Sequence, residues 1–112
     1  MGLNEYVKRA HDTAKEKGWY DLKPERTLGD LLTLITSELS EAYEEYRNGK
    51  DLNEIYYNDG SKKPEGFPIE IADTVIRIFD LCGRYGIDLD NAINIKSEYN
   101  KTRPYRHGNK VA

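Results

Sequence analysis

Ser37-Glu38-Leu39-Ser40-Glu41-Ala42 and Ile69-Glu70-Ile71-Ala72-Asp73-Thr74 are the two stretches that decide how this chain folds. Each sets two carboxylates three residues apart within a segment whose apolar residues recur at helical spacing. On a helix, positions i and i+3 project to nearly the same side, so each pair forms a fork. Two such helices packed with forks facing bring four carboxylates into one small volume, where they repel unless cations lie between them. Oxygen-only donors select a hard ion, Mg²⁺ first and Mn²⁺ or Ca²⁺ next. The expectation is a helical metal site suited to phosphate chemistry.

Working outward, the first fork belongs to a predicted helix that opens at Thr27, an N-cap with Asp30 three residues on to complete a capping box. Leu28, Leu31, Leu32, Ile35, Leu39, Ala42, Tyr43 and Tyr46 form its apolar stripe, which ends near Asn48-Gly49. Glu38, Glu41 and Glu45 run along one edge of the stripe, while Glu44 points elsewhere. The second fork opens a helix with Pro68 in its first turn, running to about Tyr85-Gly86. Apolar residues cover most of its circumference. Its only polar stripe is Glu70, Asp73, Arg77 and Asp80, so the helix is expected at the centre of the bundle. Acids on such a stripe need a metal or a basic partner, and Arg77 is a candidate for an ordinary buried ion pair.

Two further helices complete the pattern. Leu3 to about Lys17 has helical spacing and stops at Gly18, followed by a loop through Trp19 to Pro24. Trp19 is either a hydrophobic plug at the bundle end or a stacking surface for a nucleobase. Asp88 or Asp90 opens the last helix, along which Lys96, Asn100 and Arg103 share one face until Pro104 ends it. Residues 50–67 form a long connection with a turn at Asn58-Asp59-Gly60-Ser61. Lys63 makes it either a phosphate-facing lid or a plain surface loop. The expected fold is all-α and four-helix bundle-like, a single domain over residues 1–112 with its long loop between the second and third helices.

Composition narrows the function. The 112 residues suit one core, and 33% charged residues make it a wet one that would gain from oligomerisation. The single cysteine, Cys82, precludes a disulfide framework and favours a reducing compartment. No apolar run spans a bilayer and no secretory signal opens the chain, so it reads as cytoplasmic. The net charge of −3 is uneven: residues 96–112 hold five Lys or Arg and one acid, a surplus of +4, which leaves −7 for the rest. An acidic body with a basic tail suits a phosphate substrate held over an acidic metal site better than it suits a polyanion. Walker loops, dinucleotide turns, zinc spacings and the Glu-x-x-His of di-iron bundles are all missing. The remaining set fits a nucleoside triphosphate: Mg²⁺ to bridge the phosphates and acidify a water, Lys and Arg to offset leaving-group charge.

Glu38-x-x-Glu41 followed by Glu70-x-x-Asp73 resembles the signature of the all-α nucleoside triphosphate pyrophosphohydrolases, the MazG-like family. So do Lys63-Pro64-Glu65-Gly66-x-Pro68-Ile69-Glu70-Ile71-Ala72-Asp73 and Lys96-x-x-Tyr99-Asn100-x-x-Arg103-Pro104-Tyr105-x-His107-Gly108, and the similarity spans Leu28 to Lys110. The resemblance implies cleavage of a (d)NTP to the monophosphate and pyrophosphate. By position it makes Glu38, Glu41, Glu70 and Asp73 the Mg²⁺ ligands, with Mn²⁺ a substitute. Lys96, Asn100, Arg103 and Tyr105 become phosphate or sugar contacts, with Trp19 and Lys63 as further substrate-binding candidates. It also implies a homodimer or homotetramer whose sites are completed across a subunit interface. Many relatives carry Glu directly before the first fork where this chain has Ser37. The base is then Glu38, Glu41 or a hydroxide on the metal.

Two readings from other classes keep the same bundle. One is a non-catalytic regulatory or nucleic-acid-binding module using the basic tail, in which Lys101, Arg103, Arg106 and Lys110 flank Tyr99 and Tyr105. The acidic body argues against nucleic acid. The other is a structural bundle whose acids pair with Arg77 and Lys96. Metal dependence separates both from the enzyme.

Overall fold

The computed structural model describes residues 2–111, the side chain of His107 excepted. They form α1 (Leu3–Glu16), α2 (Leu28–Arg47), α3 (Phe67–Tyr85), α4 (Leu89–Thr102) and a short terminal turn, α5 (Arg106–Asn109). The fold is all-helical and bundle-like, as expected. Among the described residues the sole β feature is an isolated antiparallel bridge between Tyr56 and Glu65, inside the long loop.

Local chemistry sets the helix ends. Thr27 and Asp30 close a reciprocal capping box, Thr27 Oγ1 accepting from the Asp30 amide at 3.1 Å and the Asp30 carboxylate from the Thr27 amide at 2.9 Å. Asp88 is the N-cap of α4 and accepts from the Asn91 amide. Asp90, the other candidate, does something different. Its carboxylate accepts from the Leu3 and Asn4 amides at 3.2 and 3.1 Å, satisfying donors that the first turn of α1 leaves open. Asn4 answers by donating to Asp88 and accepting from the Asp90 amide. This polar clamp docks α4 on α1.

The hub is α3, against which α1 packs on one side and α2 on the other. Buried apolar residues come from all three helices: Val7, Leu31, Ala42, Leu81 and Cys82. Tyr6 stacks on Phe79 at 5.9 Å. Gly83 lets α1 come close, because a Cβ there would lie 2.5 Å from that of His11. The central position expected of α3 is therefore found, with one difference. Ile71, Val75 and Ile78 stay 36–39% exposed, because α4 lies over α1 and leaves that side of α3 uncovered.

The same openness marks α2. Leu28, Leu32, Leu39, Tyr43 and Tyr46 are all exposed, and at 3.6 residues per turn they fall within about 60° of one another. The radius of gyration is 17.1 Å, against about 13 Å for a compact chain of this length. The accessible surface is 8463 Å², roughly 2,000 Å² more than a monomer of this mass is expected to expose.

The long loop is tied down where it meets α3. Tyr56 and Glu65 exchange both backbone hydrogen bonds, at 3.0 and 2.8 Å. Gly66 then turns into α3 at φ 127°, with the Glu54 carbonyl oxygen 2.2 Å from where a Cβ would sit. Alanine at this position meets both a left-handed backbone and a backbone atom. Gly66→Ala is expected to destabilise the fold by roughly 2 kcal/mol or more, measured as a lower denaturation midpoint in urea. An unchanged midpoint would mean that the loop does not anchor α3.

Candidate metal centre between the second and third helices

Three carboxylates converge where α2 crosses the start of α3. Glu38, Glu41 and Glu70 each offer an oxygen within 4.8 Å of the others. Helical register explains the grouping: Glu38 and Glu41 lie one turn apart on α2, and Glu70 faces them from the first turn of α3. Glu70 is buried, only 8% exposed, and among the described residues its Oε2 has no hydrogen-bond partner. A buried, unpartnered carboxylate oxygen is costly and requires a reason.

Electrostatics around Glu70 confirm the strain. Burial, contact with Glu41 and the negative charges of Glu41, Asp73 and Glu38 push its pKa from the ordinary 4.5 up to about 7. Asp73 is also raised, first by burial and then by Glu38, with Arg77 and Lys63 pulling the other way. Without a cation, the cluster relieves its repulsion by holding protons. A hard divalent cation fits this donor set, since it would supply the charge that protons now supply and give Glu70 Oε2 a partner. The donors are all oxygen, and no histidine or cysteine belongs to the group.

Two acids join that the sequence reading did not name as ligands. Glu45, Glu65 and Glu70 form a second group within the same 4.8 Å limit, sharing Glu70 with the first. Glu45 continues the α2 edge one turn beyond Glu41, and that spacing was its signal. Glu65 arrives only through the Tyr56 bridge, which sequence spacing does not reveal. The Tyr56 hydroxyl donates to both oxygens of Glu45, at 2.9 and 3.1 Å, and Lys63 Nζ stands 3.5 Å from Glu65. Ser37, directly before the first fork, is exposed.

Asp73 stands apart from the triad but close to it, lining a groove of about 720 Å³ together with Glu38. The groove runs between α1, α2 and α3. Its walls hold Arg9 from α1, Lys17 at the α1 C-cap, Arg77 from α3, and the loop residues Trp19, Tyr20 and Arg26. Trp19 is half exposed, with the Arg26 guanidinium 4.9 Å above its ring. That is a groove wall rather than a buried plug. Arg77 Nε donates to Glu38 Oε1 at 2.8 Å. The ion-pair alternative therefore accounts for Glu38, yet it leaves Glu70 without a cation.

The α3 polar stripe divides three ways: Glu70 and Asp73 to the acid cluster, Arg77 to Glu38, and Asp80 to α1. Asp80 accepts from the Tyr20 hydroxyl at 2.8 Å and from His11 Nδ1–H at 2.9 Å. Burial and the Asp80 carboxylate raise the Tyr20 pKa, so the phenol stays a donor. Cys82 is buried and its thiol is pushed up by that burial, which leaves it no nucleophile.

The α4 candidates lie elsewhere. Lys96 and Asn100 are exposed, Arg103 is half-buried and Tyr105 is almost fully open, and none of them lines the groove. The Lys96 ammonium and the Arg103 guanidinium sit 5.0 and 5.6 Å from the Tyr99 ring. The fold thus brings together Glu38, Glu41 and Glu70, sets Asp73 and Lys63 near them, places Trp19 on the groove that Glu38 and Asp73 line, and keeps Lys96, Asn100, Arg103 and Tyr105 off that groove within one chain. No helix among the described residues is long and apolar enough to cross a membrane. Comparison of the chain with protein-family models, curated proteins and solved structures yields no match.

Glu70 makes stability depend on pH in a definite direction. Its folded pKa of about 7 lies above the ordinary 4.5, so between those values the native state holds a proton that the unfolded chain has released. Metal-free protein should therefore lose roughly 1–3 kcal/mol as pH rises from 4.5 to 7. Glu70→Gln should flatten this slope and raise the melting temperature at pH 7.5 without metal. Wild-type protein with excess Mg²⁺ should melt higher than without. A slope that survives the substitution would assign the proton to another group.

Proposed function

We propose that the chain is a metal-dependent nucleoside triphosphate pyrophosphohydrolase, releasing pyrophosphate and a (d)NMP from a (d)NTP. The observation that carries this reading is the unpartnered Oε2 of buried Glu70 within a three-carboxylate cluster beside a groove of nucleotide size. Mg²⁺, or Mn²⁺ in its place, would be held by Glu38, Glu41 and Glu70 with Asp73 at the edge. When bound it supplies Lewis-acid activation of the phosphate chain and of a water.

The protein's own groups do the rest. Glu41 is the exposed member of the triad and the better placed to take a proton from water entering from solvent. Glu38, held by Arg77, is the poorer base because its charge is already engaged. Arg9, Lys17 and Arg26 line the groove and offset phosphate charge. Trp19 offers a flat apolar face at the groove wall, where a base can stack. Lys63, over Glu65 and within electrostatic reach of Asp73, suits the lid reading of the long loop.

The subunit works as a homo-oligomer in this reading. Stable interfaces bury about 800 Å² per partner, and the exposed apolar stripes of α2 and α3 provide the surface. α4 has no buried residue of its own and carries Lys96 and Asn100, with Arg103 as its C-cap. Those side chains serve the acid cluster of a second copy.

Pyrophosphate release from a panel of NTPs and dNTPs, with Mg²⁺, with Mn²⁺ and with chelator, tests the reaction. Metal-dependent release with a monophosphate product is expected, and Glu70→Gln should abolish it. Silence across the panel would leave the binding-module reading and direct attention to the basic tail. Completion in trans has its own test. Glu70→Gln and Lys96→Ala, each defective alone, should recover about a quarter of wild-type activity when mixed as unfolded chains and refolded as dimers. No recovery would place the α4 cations outside the site.

A further inference from the structure

We infer that Arg77 is an exchangeable cation of the groove, paired with Glu38 while the acid cluster lacks metal and turned onto the phosphate chain of the substrate once metal claims Glu38. This inference rests on the metal-and-phosphate reading above.

Four observations support it. First, the pair is a single bond: Nε donates to Glu38 Oε1 at 2.8 Å, and among the described residues neither terminal nitrogen of the guanidinium has a partner. A guanidinium commits up to five N–H donors, and its firm carboxylate pairs are bidentate. Second, the two partners differ in exposure. Glu38 keeps 12% of its side chain exposed and Arg77 keeps 39%, so the acid lies inside and the guanidinium lies at the groove's edge. Third, Arg77 lines the groove together with Asp73 and Glu38, one turn along α3 from Asp73. The other groove cations come from other elements: Arg9 from α1, Lys17 from its C-cap, and Arg26 from the loop, over Trp19. Fourth, metal and guanidinium compete for one carboxylate. Glu38 belongs both to the convergent carboxylates and to the Arg77 pair, and a divalent ion arriving at that carboxylate repels the positive charge already there.

Released from Glu38, the planar fork faces a groove in which a polyphosphate would lie, and phosphate oxygens match its geometry. The substrate class is therefore a linear phosphate chain, recognised apart from any base. The exchange also lets the apo protein neutralise Glu38 without giving up the cation that the complex needs.

Inorganic tripolyphosphate is the probe, because it carries the chain without a base. Mn²⁺ binding is read by electron paramagnetic resonance, and tripolyphosphate binding by calorimetry with Mn²⁺ in excess. Arg77→Ala is expected to bind Mn²⁺ as tightly as wild type or tighter, and tripolyphosphate about 10- to 100-fold more weakly, as for the loss of charged hydrogen bonds. Arg77→Lys, which keeps the charge without the fork, should fall between the two and covers the case in which the alanine variant does not fold. Tripolyphosphate affinity within two-fold of wild type in a variant that still binds Mn²⁺ would overturn the inference alone. So would a parallel loss of both ligands, which marks Arg77 as a structural partner of the cluster. Wild-type protein that binds no Mn²⁺ would sink the metal reading and this inference with it.

Discussion

Mutual repulsion among the acids at the crossing of α2 and α3 is the constraint that the rest of the molecule accommodates. Glu70 is buried against Glu38 and Glu41 and answers by holding its proton to about pH 7. A sequence under selection only for stability would place an apolar side chain there, since an unpaired buried charge costs several kcal/mol. The Arg77–Glu38 bond lowers the cost for one acid and leaves the others unrelieved. Such local conflict within an otherwise consistent fold is the mark expected of a site kept for chemistry.

The surrounding fold holds the acids in this arrangement. α3 is gripped from both sides, and Gly83 brings α1 close enough for His11 to reach Asp80. That contact, with the Tyr20 hydroxyl on the other oxygen, ties α1, the first loop and α3 into one unit. On the opposite side the Tyr56–Glu65 bridge and the Tyr56–Glu45 bonds tie the long loop to α2 just ahead of Gly66. α3 is therefore held along its length, by α1 and the first loop at Asp80 and by the long loop just ahead of Gly66. Its acids cannot separate without breaking contacts elsewhere.

Much of this was legible in the sequence, and the residues show why. The forks were readable because i, i+3 spacing on a helix dictates a shared side, and Thr27, Asp88 and Gly86 mark helix ends through short-range chemistry. The α3 polar stripe was readable too, but its partners were not. Asp80 found His11 and Tyr20 across 69 and 60 residues, and Glu65 joined through a single backbone bridge. Such long-range pairings leave no periodic trace. Periodicity also misled in one respect: the apolar circumference of α3 implied burial on all sides, whereas the chain itself covers only part of it. A stripe of isoleucines looks the same whether its partner is the same chain or another.

The openness and the charge separation are two sides of one arrangement of helices. A chain that exposes roughly 2,000 Å² beyond expectation for its mass and lines α2 and α3 with uncovered leucine, isoleucine and tyrosine presents a large apolar surface. Asp90 clamps α4 onto the α1 amides, so within one chain Lys96 and Arg103 stay away from the acid cluster. If Lys96 or Arg103 folded back onto Glu70, the cluster would be a set of ordinary ion pairs and would have no affinity to offer a metal. By standing α4 away on α1, the fold keeps the acid cluster short of positive charge and keeps a cationic surface available. Both are conditions for binding a metal and a polyphosphate together.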